Sequence, residues 1–184
     1  MSSFLDRLVR QASPDPADAG AVTGETETVR RIVARLDTMP AERARYLAGF
    51  AYVLARAAEA DLDISAAETA VMEGALVDLG GLDMAQAVLV VQMAKFQART
   101  KFGTEDYLVT REFASFATAE EKEAVIRACF VVSAADDEIS SDEAQTINEI
   151  AYELGIERPA LNAIREGFVE KFTAIRAARN IARG

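Results

Sequence analysis

The feature that most constrains the fold of this chain is a stretch that occurs twice. Residues 58–80 align without gaps with residues 133–155, and seven of the 23 aligned positions are identical. The identical residues are Ala60, Asp61, Ile64, Ser65, Glu68, Leu79 and Gly80, paired with Ala135, Asp136, Ile139, Ser140, Glu143, Leu154 and Gly155. In each copy, apolar residues recur at helical spacing before and after an acidic turn. Because neither copy can bury its apolar stripe alone, we expect the two copies to pack together.

The remaining chain also carries apolar residues at helical spacing, without strand-like alternation. We therefore predict an all-α fold, a helical domain of two pseudo-twofold-related helix–acidic turn–helix repeats. Gly80 and Gly155 are predicted helix C-caps, where glycine adopts the left-handed conformation without strain. The predicted helices cover residues 25–38, 41–61, 65–79, 84–100, 104–116, 119–135, 140–154 and 159–180.

The first 24 residues differ in composition from the rest. Ser3 to Gln11 is a short amphipathic segment, and Ser13 to Gly24 is rich in the proline, glycine and aspartate of linkers. We predict an N-terminal amphipathic arm and linker over residues 1–24 and a helical domain over residues 25–184.

The charge of the chain is acidic and unevenly distributed. Its 30 acids exceed its 20 lysines and arginines, for a net charge of −10, which argues against a nucleic-acid partner. Residues 57–94 and 134–157 hold acids and no base, whereas residues 158–184 hold six bases and two acids. A surface segregated in this way attracts cations or a basic protein partner. The alternative, a solvated exterior without a partner, remains open.

The N-terminal residues and the apolar runs bear on the location of the protein. Charges at Asp6, Arg7 and Arg10 interrupt any export signal. The longest uncharged apolar-rich run, residues 84–94, is far shorter than the roughly 20 residues of a transmembrane helix. Since Cys129 is the only cysteine, no intrachain disulfide can form. We expect a cytoplasmic protein without a transmembrane segment, peripheral to a membrane at most.

The acidic turns do not fit an EF-hand calcium loop. That loop needs a bidentate glutamate at position 12. Counted from Asp61, position 12 is Met72, and counted from Asp136 it is Ile147. Both positions are apolar, which excludes the EF-hand.

Helix capping accounts for part of each turn. Ser65 and Glu68, like Ser140 and Glu143, fit the pattern of a capping box, in which the serine accepts from the third helical amide and the glutamate from the serine amide. Capping leaves unexplained the acids that precede the serines, Asp61, Asp63, Asp136, Asp137 and Glu138. Carboxylates are unfavourable at the C-terminus of the preceding helix, and a bound cation would explain them. Turn propensity, which favours aspartate, is the open alternative.

The candidate ligands are all oxygens, which suits Ca²⁺, Mn²⁺ or Mg²⁺. The chain has no histidine and one cysteine, which argues against a typical zinc site. The same composition removes the usual nucleophile–base pairs, and Cys129 falls on an apolar helix face, where we predict a packed core thiol. We therefore predict that the protein is not an enzyme.

The two turns, "ADLDIS" and "ADDEIS", each lie between amphipathic helices, and the second helix ends in Leu-Gly. With "SSFLDRLVRQ" at the start and "DYLVTREFASFATAEEKEAVIRACF" between the turns, the chain resembles the tellurite-resistance TerB and TerB-like family over residues 46–168. That family includes domains of membrane-anchored DnaJ-like co-chaperones. The resemblance implies an all-helical fold with two related halves, metal binding by the acidic residues, no established enzymatic activity, and a stress-response role near the inner membrane.

The family motif is usually Ala-Asp-Gly, and this chain departs from it. Leu62 and Asp137 occupy the glycine positions, where aspartate tolerates a left-handed backbone better than leucine does. Four acids match the motif, and two lie at a variable position beside it. Together they form the predicted metal site: Asp61, Asp63, Glu68, Asp136, Glu138 and Glu143.

Two functional hypotheses follow. In the first, the chain is a non-enzymatic stress-response module of tellurite-resistance type that binds a divalent cation at its two acidic turns. In the second, it is a metal-free protein-interaction scaffold whose acidic face docks a basic partner.

Overall fold

The structure, a computed structural model, describes residues 22–58, 66–78, 81–99, 106–135 and 137–177. Its regular elements in these ranges are helices, apart from an isolated parallel β-bridge between Ile139 and Phe172. The predicted all-α class is confirmed. The chain divides into two compact units, residues 1–48 and 49–184. The predicted arm lies outside the described residues up to residue 21, and the domain boundary at residue 25 stays a prediction.

The helices follow the predicted order, with ends that differ by a few residues. They are α1 (Val22–Asp37), α2 (Ala41–Ala57), α3 (Ala66–Asp78), α4 (Met84–Arg99), α5 (Asp106–Phe116), α6 (Ala119–Ser133), α7 (Ser141–Glu153) and α8 (Arg158–Glu166). A 3₁₀ turn at Val169–Lys171 and a helical turn at residues 173–177 follow α8.

The prediction of one continuous helix over residues 159–180 is wrong. Helix α8 ends at Glu166, and the chain turns at Gly167 and Phe168. Phe130 stacks on Phe168 at 5.2 Å between ring centroids and meets Phe172 at 6.1 Å. These aromatic contacts, which sequence periodicity does not reveal, favour a bent path over a straight helix.

In the first unit, the described residues are α1 and the start of α2. Helix α1 buries Ile32 and Leu36 and ends where the Thr38 hydroxyl donates to the Arg35 carbonyl at 2.7 Å. Pro40 precedes α2, and its carbonyl accepts from the Ala44 amide at 3.0 Å. Proline suits this place because it lacks the amide that a helix start leaves unpaired.

In the second unit, α6 is the central helix and packs against α3, α7 and α8, while α3 packs on α4 and α5 on α7. Fully burying a large apolar side chain stabilises a fold by roughly 1.5–3 kcal/mol. The largest fully buried side chains of this unit are Phe50, Leu54, Met72, Leu76, Met93, Phe113, Ile126, Phe130, Ile139, Ile147 and Ile150.

Helix α2 approaches the core closely at Gly49. A Cβ atom at this position would overlap the ring of Phe113, which is fully buried in α5. Because Gly49 has no side chain, the Phe113 ring can occupy the space beside it. The Phe116 ring meets the Phe113 ring edge-on, at 5.3 Å between ring centroids.

The second helices of the two sequence copies have matching ends. Helices α3 and α7 each span 13 residues, and the alignment pairs their first and last residues. The paired core residues Met72 and Ile147 are both buried, as predicted. The pseudo-twofold relation between the copies stays a prediction.

Helix α7 ends at the predicted glycine cap. Gly155 has φ +73°, its amide donates to the Tyr152 carbonyl at 3.0 Å, and the Ile156 amide donates to the Ala151 carbonyl at 2.9 Å. These bonds form a Schellman motif, which confirms the prediction at Gly155. Gly80 lies outside the described residues.

Candidate functional site

The second acidic turn, residues 134–140, joins α6 to α7 and ends in a capping box. Ser140 has an extended backbone, and its hydroxyl accepts from the Glu143 amide at 3.1 Å. The Glu143 carboxylate accepts from the Ser140 amide at 2.8 Å. The predicted box is confirmed here, and it satisfies two amides that the start of α7 leaves unpaired. Ser65, its predicted counterpart, lies outside the described residues.

Asp137 adopts a left-handed backbone conformation, with φ 71°. It occupies the position where the resemblance expects glycine, and aspartate is among the residues that tolerate this conformation. Its amide donates to the Ala134 carbonyl at 3.0 Å, which closes the turn directly after α6. The backbone at Asp137 thus follows the path that the glycine of the family motif would permit, and the aspartate adds a carboxylate at this position.

Two cations from the C-terminal stretch meet the carboxylates of this turn. The Lys171 ammonium donates to Asp137 Oδ1. Arg176 Nη1 donates to Glu138 Oε1 at 2.9 Å and to the Asp137 carbonyl at 3.3 Å. The Asp137 and Glu138 side chains remain 81% and 51% exposed, so both pairs are at the surface.

The pairing changes the acidity of Asp137. The hydrogen bond from Lys171, and then the lysine charge, hold the pKa of Asp137 below its ordinary value of 3.8. The carboxylate therefore stays ionised at neutral pH and attracts positive charge.

Backbone contacts fasten the C-terminal stretch to the same turn. The Ile139 amide donates to the Lys171 carbonyl at 2.8 Å, and the Thr173 amide donates to the Ile139 carbonyl at 3.1 Å. Ile139 itself is fully buried between these bonds. Because the backbone is fixed on both sides, Lys171 is held beside Asp137 by more than its own ion pair.

The six predicted metal ligands fall into two groups. Glu138 and Glu143 are described, and their carboxylates bind Arg176 and the Ser140 amide. Asp61, Asp63 and Asp136 lie outside the described residues, as does Leu62, and the side chain of Glu68 is not described. Within the described ranges, no group of three or more cysteine, aspartate or glutamate side chains is placed to hold a metal ion. The described members thus do not form an open ligand set, and the six-residue site stays a prediction.

A second polar cluster is buried among α2, α5 and α7. Arg56 Nη1 donates to Glu153 Oε2 and to Thr110 Oγ1, both at 2.6 Å. Nη2 adds a longer bond to Glu153 Oε1 at 3.4 Å. Sequence reasoning missed this cluster, although Arg56 stands out as a single base within the apolar run "FAYVLARAA". A buried charge of this kind requires a partner, and here it has one.

Cys129 is fully buried in α6, as the sequence predicts. Burial raises the pKa of the Cys129 thiol to about 12, and the nearby Arg56 charge only partly opposes this shift. A thiol with such a pKa carries almost no thiolate at neutral pH, so it is unsuited to act as a nucleophile.

Sequence reasoning also missed Lys171, Arg176 and one further capping box. The change from net negative to net positive charge after residue 157 indicates a basic stretch, but it does not show which bases contact which acids. Thr118 and Glu121 cap α6 in the same way as Ser140 and Glu143, and their T-x-x-E spacing was a readable signal.

Among the helices of the described ranges, none combines the length and apolar character that crossing a membrane requires.

Comparison with known proteins gives one family. The family model of tellurite resistance protein TerB matches residues 46–166, which agrees with the extent of the sequence resemblance. A search of curated proteins and a search of solved structures each returned no match. Since the family model covers well over half of the 184 residues, the chain belongs to the TerB family of tellurite resistance proteins.

Proposed function

We propose that this TerB-family chain is a non-enzymatic protein-interaction module whose second acidic turn works without a metal and whose acidic surface docks a basic partner. The observation that carries the proposal is the pairing of Asp137 with Lys171 and of Glu138 with Arg176. The positive charge that these carboxylates require is supplied by the chain itself.

The electrostatics of the turn support this proposal. Carboxylates beside the C-terminus of α6 are unfavourable on their own, because that end of a helix carries partial negative charge. Lys171 and Arg176 offset this cost, and Glu143 is engaged by the Ser140 amide. A divalent ion that used Glu138 as a ligand would have to compete with Arg176 for that carboxylate.

The non-enzymatic part of the proposal rests on the reactive side chains. The chain has no histidine, and its single cysteine is buried with a raised thiol pKa. The buried Arg56 has Glu153 and Thr110 as partners in the interior, where substrate has no access. These groups lack the accessible nucleophile–base geometry that catalysis needs.

The exposed face of α7 is the best candidate for docking a basic partner. Asp142, Gln145 and Glu149 recur on it at helical spacing, and residues 134–157 contain no base. Glu149 accepts from the Gln145 amide at 3.0 Å, and this neutral group does not cancel the negative charge of the carboxylate. A partner with lysines or arginines at matching spacing would therefore gain electrostatic attraction along this face.

A divalent cation at the acidic turns is the second candidate function. It is favoured by Asp137, whose largely exposed carboxylate already attracts an ammonium group. This candidate relies on the six predicted ligands, Asp61, Asp63, Glu68, Asp136, Glu138 and Glu143, acting in concert.

One nuclear magnetic resonance (NMR) experiment separates the two candidates. The ¹⁵N-labelled full chain is titrated with a short lysine–leucine peptide and, separately, with Ca²⁺ at constant ionic strength. We expect the peptide to shift amides of the α7 face, and Ca²⁺ to cause no saturable shift at residues 137–143. Asp142→Asn with Glu149→Gln should weaken peptide binding, whereas the charge-matched Glu42→Gln with Glu120→Gln should not. Saturable Ca²⁺ shifts would instead support the second candidate, and unshifted α7 amides in the peptide titration would refute the docking face.

A further inference from the structure

A groove between α7 and α8 lies apart from the acidic turn. It has a volume of about 370 Å³, near the lower end of the usual range for binding pockets. Its lining residues are Asn148, Tyr152, Ile156, Arg158, Leu161, Asn162 and Arg165. We refer to it as the α7–α8 groove.

The floor and edge of the groove are apolar and aromatic. Leu161 is buried and Ile156 is half-buried, whereas Tyr152 is 83% exposed at the edge. Tyrosine is enriched at the centres of protein interfaces, because its ring supplies contact area at a low entropic cost. An exposed tyrosine beside an apolar floor therefore offers a partner side chain a place to pack.

The groove also carries two guanidinium groups that no acid in the described part of the chain neutralises. Arg165 donates to Asn162 Oδ1 at 3.1 Å and to Asn148 Oδ1, and these neutral amides fix its position without cancelling its charge. Arg158 is exposed and has no hydrogen-bond or ion-pair partner among the described residues. The described lining includes no carboxylate.

This local positive charge contrasts with the net charge of −10 of the whole chain. Guanidinium groups bind carboxylates through paired, planar hydrogen bonds, and Arg165 is already held in place to do so. Two arginines within a strongly acidic chain are too few to make a nucleic-acid surface, which needs a clustered basic face.

We propose that the α7–α8 groove docks an acidic protein segment, in which an apolar side chain is flanked by carboxylates. The apolar side chain packs on Ile156, Leu161 and Tyr152, and the carboxylates pair with Arg158 and Arg165. This partner is opposite in charge to the one proposed for the acidic face of α7, and the two proposals stand independently.

The test uses the ¹⁵N-labelled full chain and three pools of synthetic peptides. Each pool has a varied apolar residue, flanked by Asp or Glu in the first pool, by Asn or Gln in the second and by Lys in the third. We expect the acidic pool to shift the amides of Ile156, Leu161 and Asn162, more strongly at low salt than at high salt. The neutral and basic pools should leave these amides unshifted.

Two variants and a control test whether Arg158 and Tyr152 of the groove bind the acidic peptides. Arg158→Gln and Tyr152→Ala should each weaken binding of the acidic pool by about fivefold, the scale of one exposed contact. Both side chains are exposed, so the variants should keep the wild-type amide spectrum elsewhere. Arg30→Gln, an exposed arginine of α1, makes the same charge change and should leave binding unaltered.

Three results would overturn the proposal. The first is an acidic pool that leaves the groove amides unshifted. The second is a single-stranded oligonucleotide that shifts them in place of the acidic pool. The third is a shift that depends on protein concentration alone, with sedimentation as a dimer, because the occupant would then be a second copy of the chain.

Discussion

Arg56 Nη1 lies 2.6 Å from Glu153 Oε2, and the two side chains are only 10% and 11% exposed. This ion pair joins α2 to α7 through the interior, with Thr110 of α5 as a third member. Helix α2 leads directly into the first sequence copy, and α7 is the helix of the second copy.

Replacing only one member of the Arg56–Glu153 pair should strongly destabilise the fold. We expect Arg56→Met or Glu153→Gln to lower the free energy of unfolding by about 3–5 kcal/mol, because each change leaves a buried polar partner unsatisfied. Replacing both with apolar residues should cost less than the sum of the two single changes. Urea denaturation of the four proteins measures these differences.

The half-exposed pair of Arg127 and Glu123, at 3.0 Å, is the matched control. Arg127→Met should cost about 1 kcal/mol or less, since surface ion pairs contribute little. Equal losses at Arg56 and Arg127 would show that the buried pair has no special role.

The second prediction concerns the capping box at the start of α7. Ser140→Ala should lower the free energy of unfolding by about 1 kcal/mol, because the Glu143 amide loses its acceptor. Ser141→Ala, one position along and exposed, keeps the box and serves as the control. The same loss is predicted for Ser65→Ala from the sequence pattern. If Ser140→Ala and Ser141→Ala unfold at the same urea concentration, the box is not stabilising.

The third prediction concerns the acid side of the stability profile. The pKa of Asp137 is lowered in the folded chain, so its contribution to stability is fully present above its ordinary pKa of 3.8. That contribution is lost as the pH falls from about 3.8 through the lower folded pKa. Lys171→Gln should move the pKa of Asp137 up toward 3.8, as measured by NMR titration of its carboxyl carbon. An unchanged pKa in the variant would mean that Lys171 is not the cause of the shift.

The fourth prediction concerns two glycines within helices. Gly49→Ala should destabilise the fold by about 1–3 kcal/mol, because the new methyl group overlaps the buried Phe113 ring. Gly74 of α3 has open space where its Cβ would lie, so Gly74→Ala should stabilise by about 0.5–1 kcal/mol through helix propensity. Thermal melts of the two variants should shift in opposite directions, and a stabilised Gly49→Ala would contradict the close packing.

Periodicity and caps made much of this fold predictable from the sequence. The recurrence of apolar residues at helical spacing predicts the helices, and local patterns predict the Ser140–Glu143 box and the glycine cap at Gly155. These features depend on residues within a few positions of each other, which is why one sequence suffices to predict them.

The unpredicted features depend on long-range contacts. Lys171 reaches Asp137 because Phe168 and Phe172 bind Phe130 and bend the chain after α8. Arg56 meets Glu153 only after the helices have packed. Spacing along the chain does not encode such contacts, so the acidic pattern of the sequence pointed to a metal ion and gave no sign of Lys171. The metal ion stays a prediction.

The central claim is that Lys171 and Arg176 supply the positive charge of the second acidic turn. It is tested most directly by thermal melts of the wild type and of Lys171→Gln with Arg176→Gln, each in Ca²⁺ and in sodium chloride of matched ionic strength. The control variant, Arg30→Gln with Lys122→Gln, removes the same charge elsewhere. We predict that the two wild-type curves coincide, and that the Lys171 and Arg176 variant melts at a lower temperature than the control variant. A wild-type Tm that rises in Ca²⁺ beyond matched salt, and loses that rise in Asp61→Asn with Asp136→Asn, would contradict the claim and assign the turns to a divalent ion.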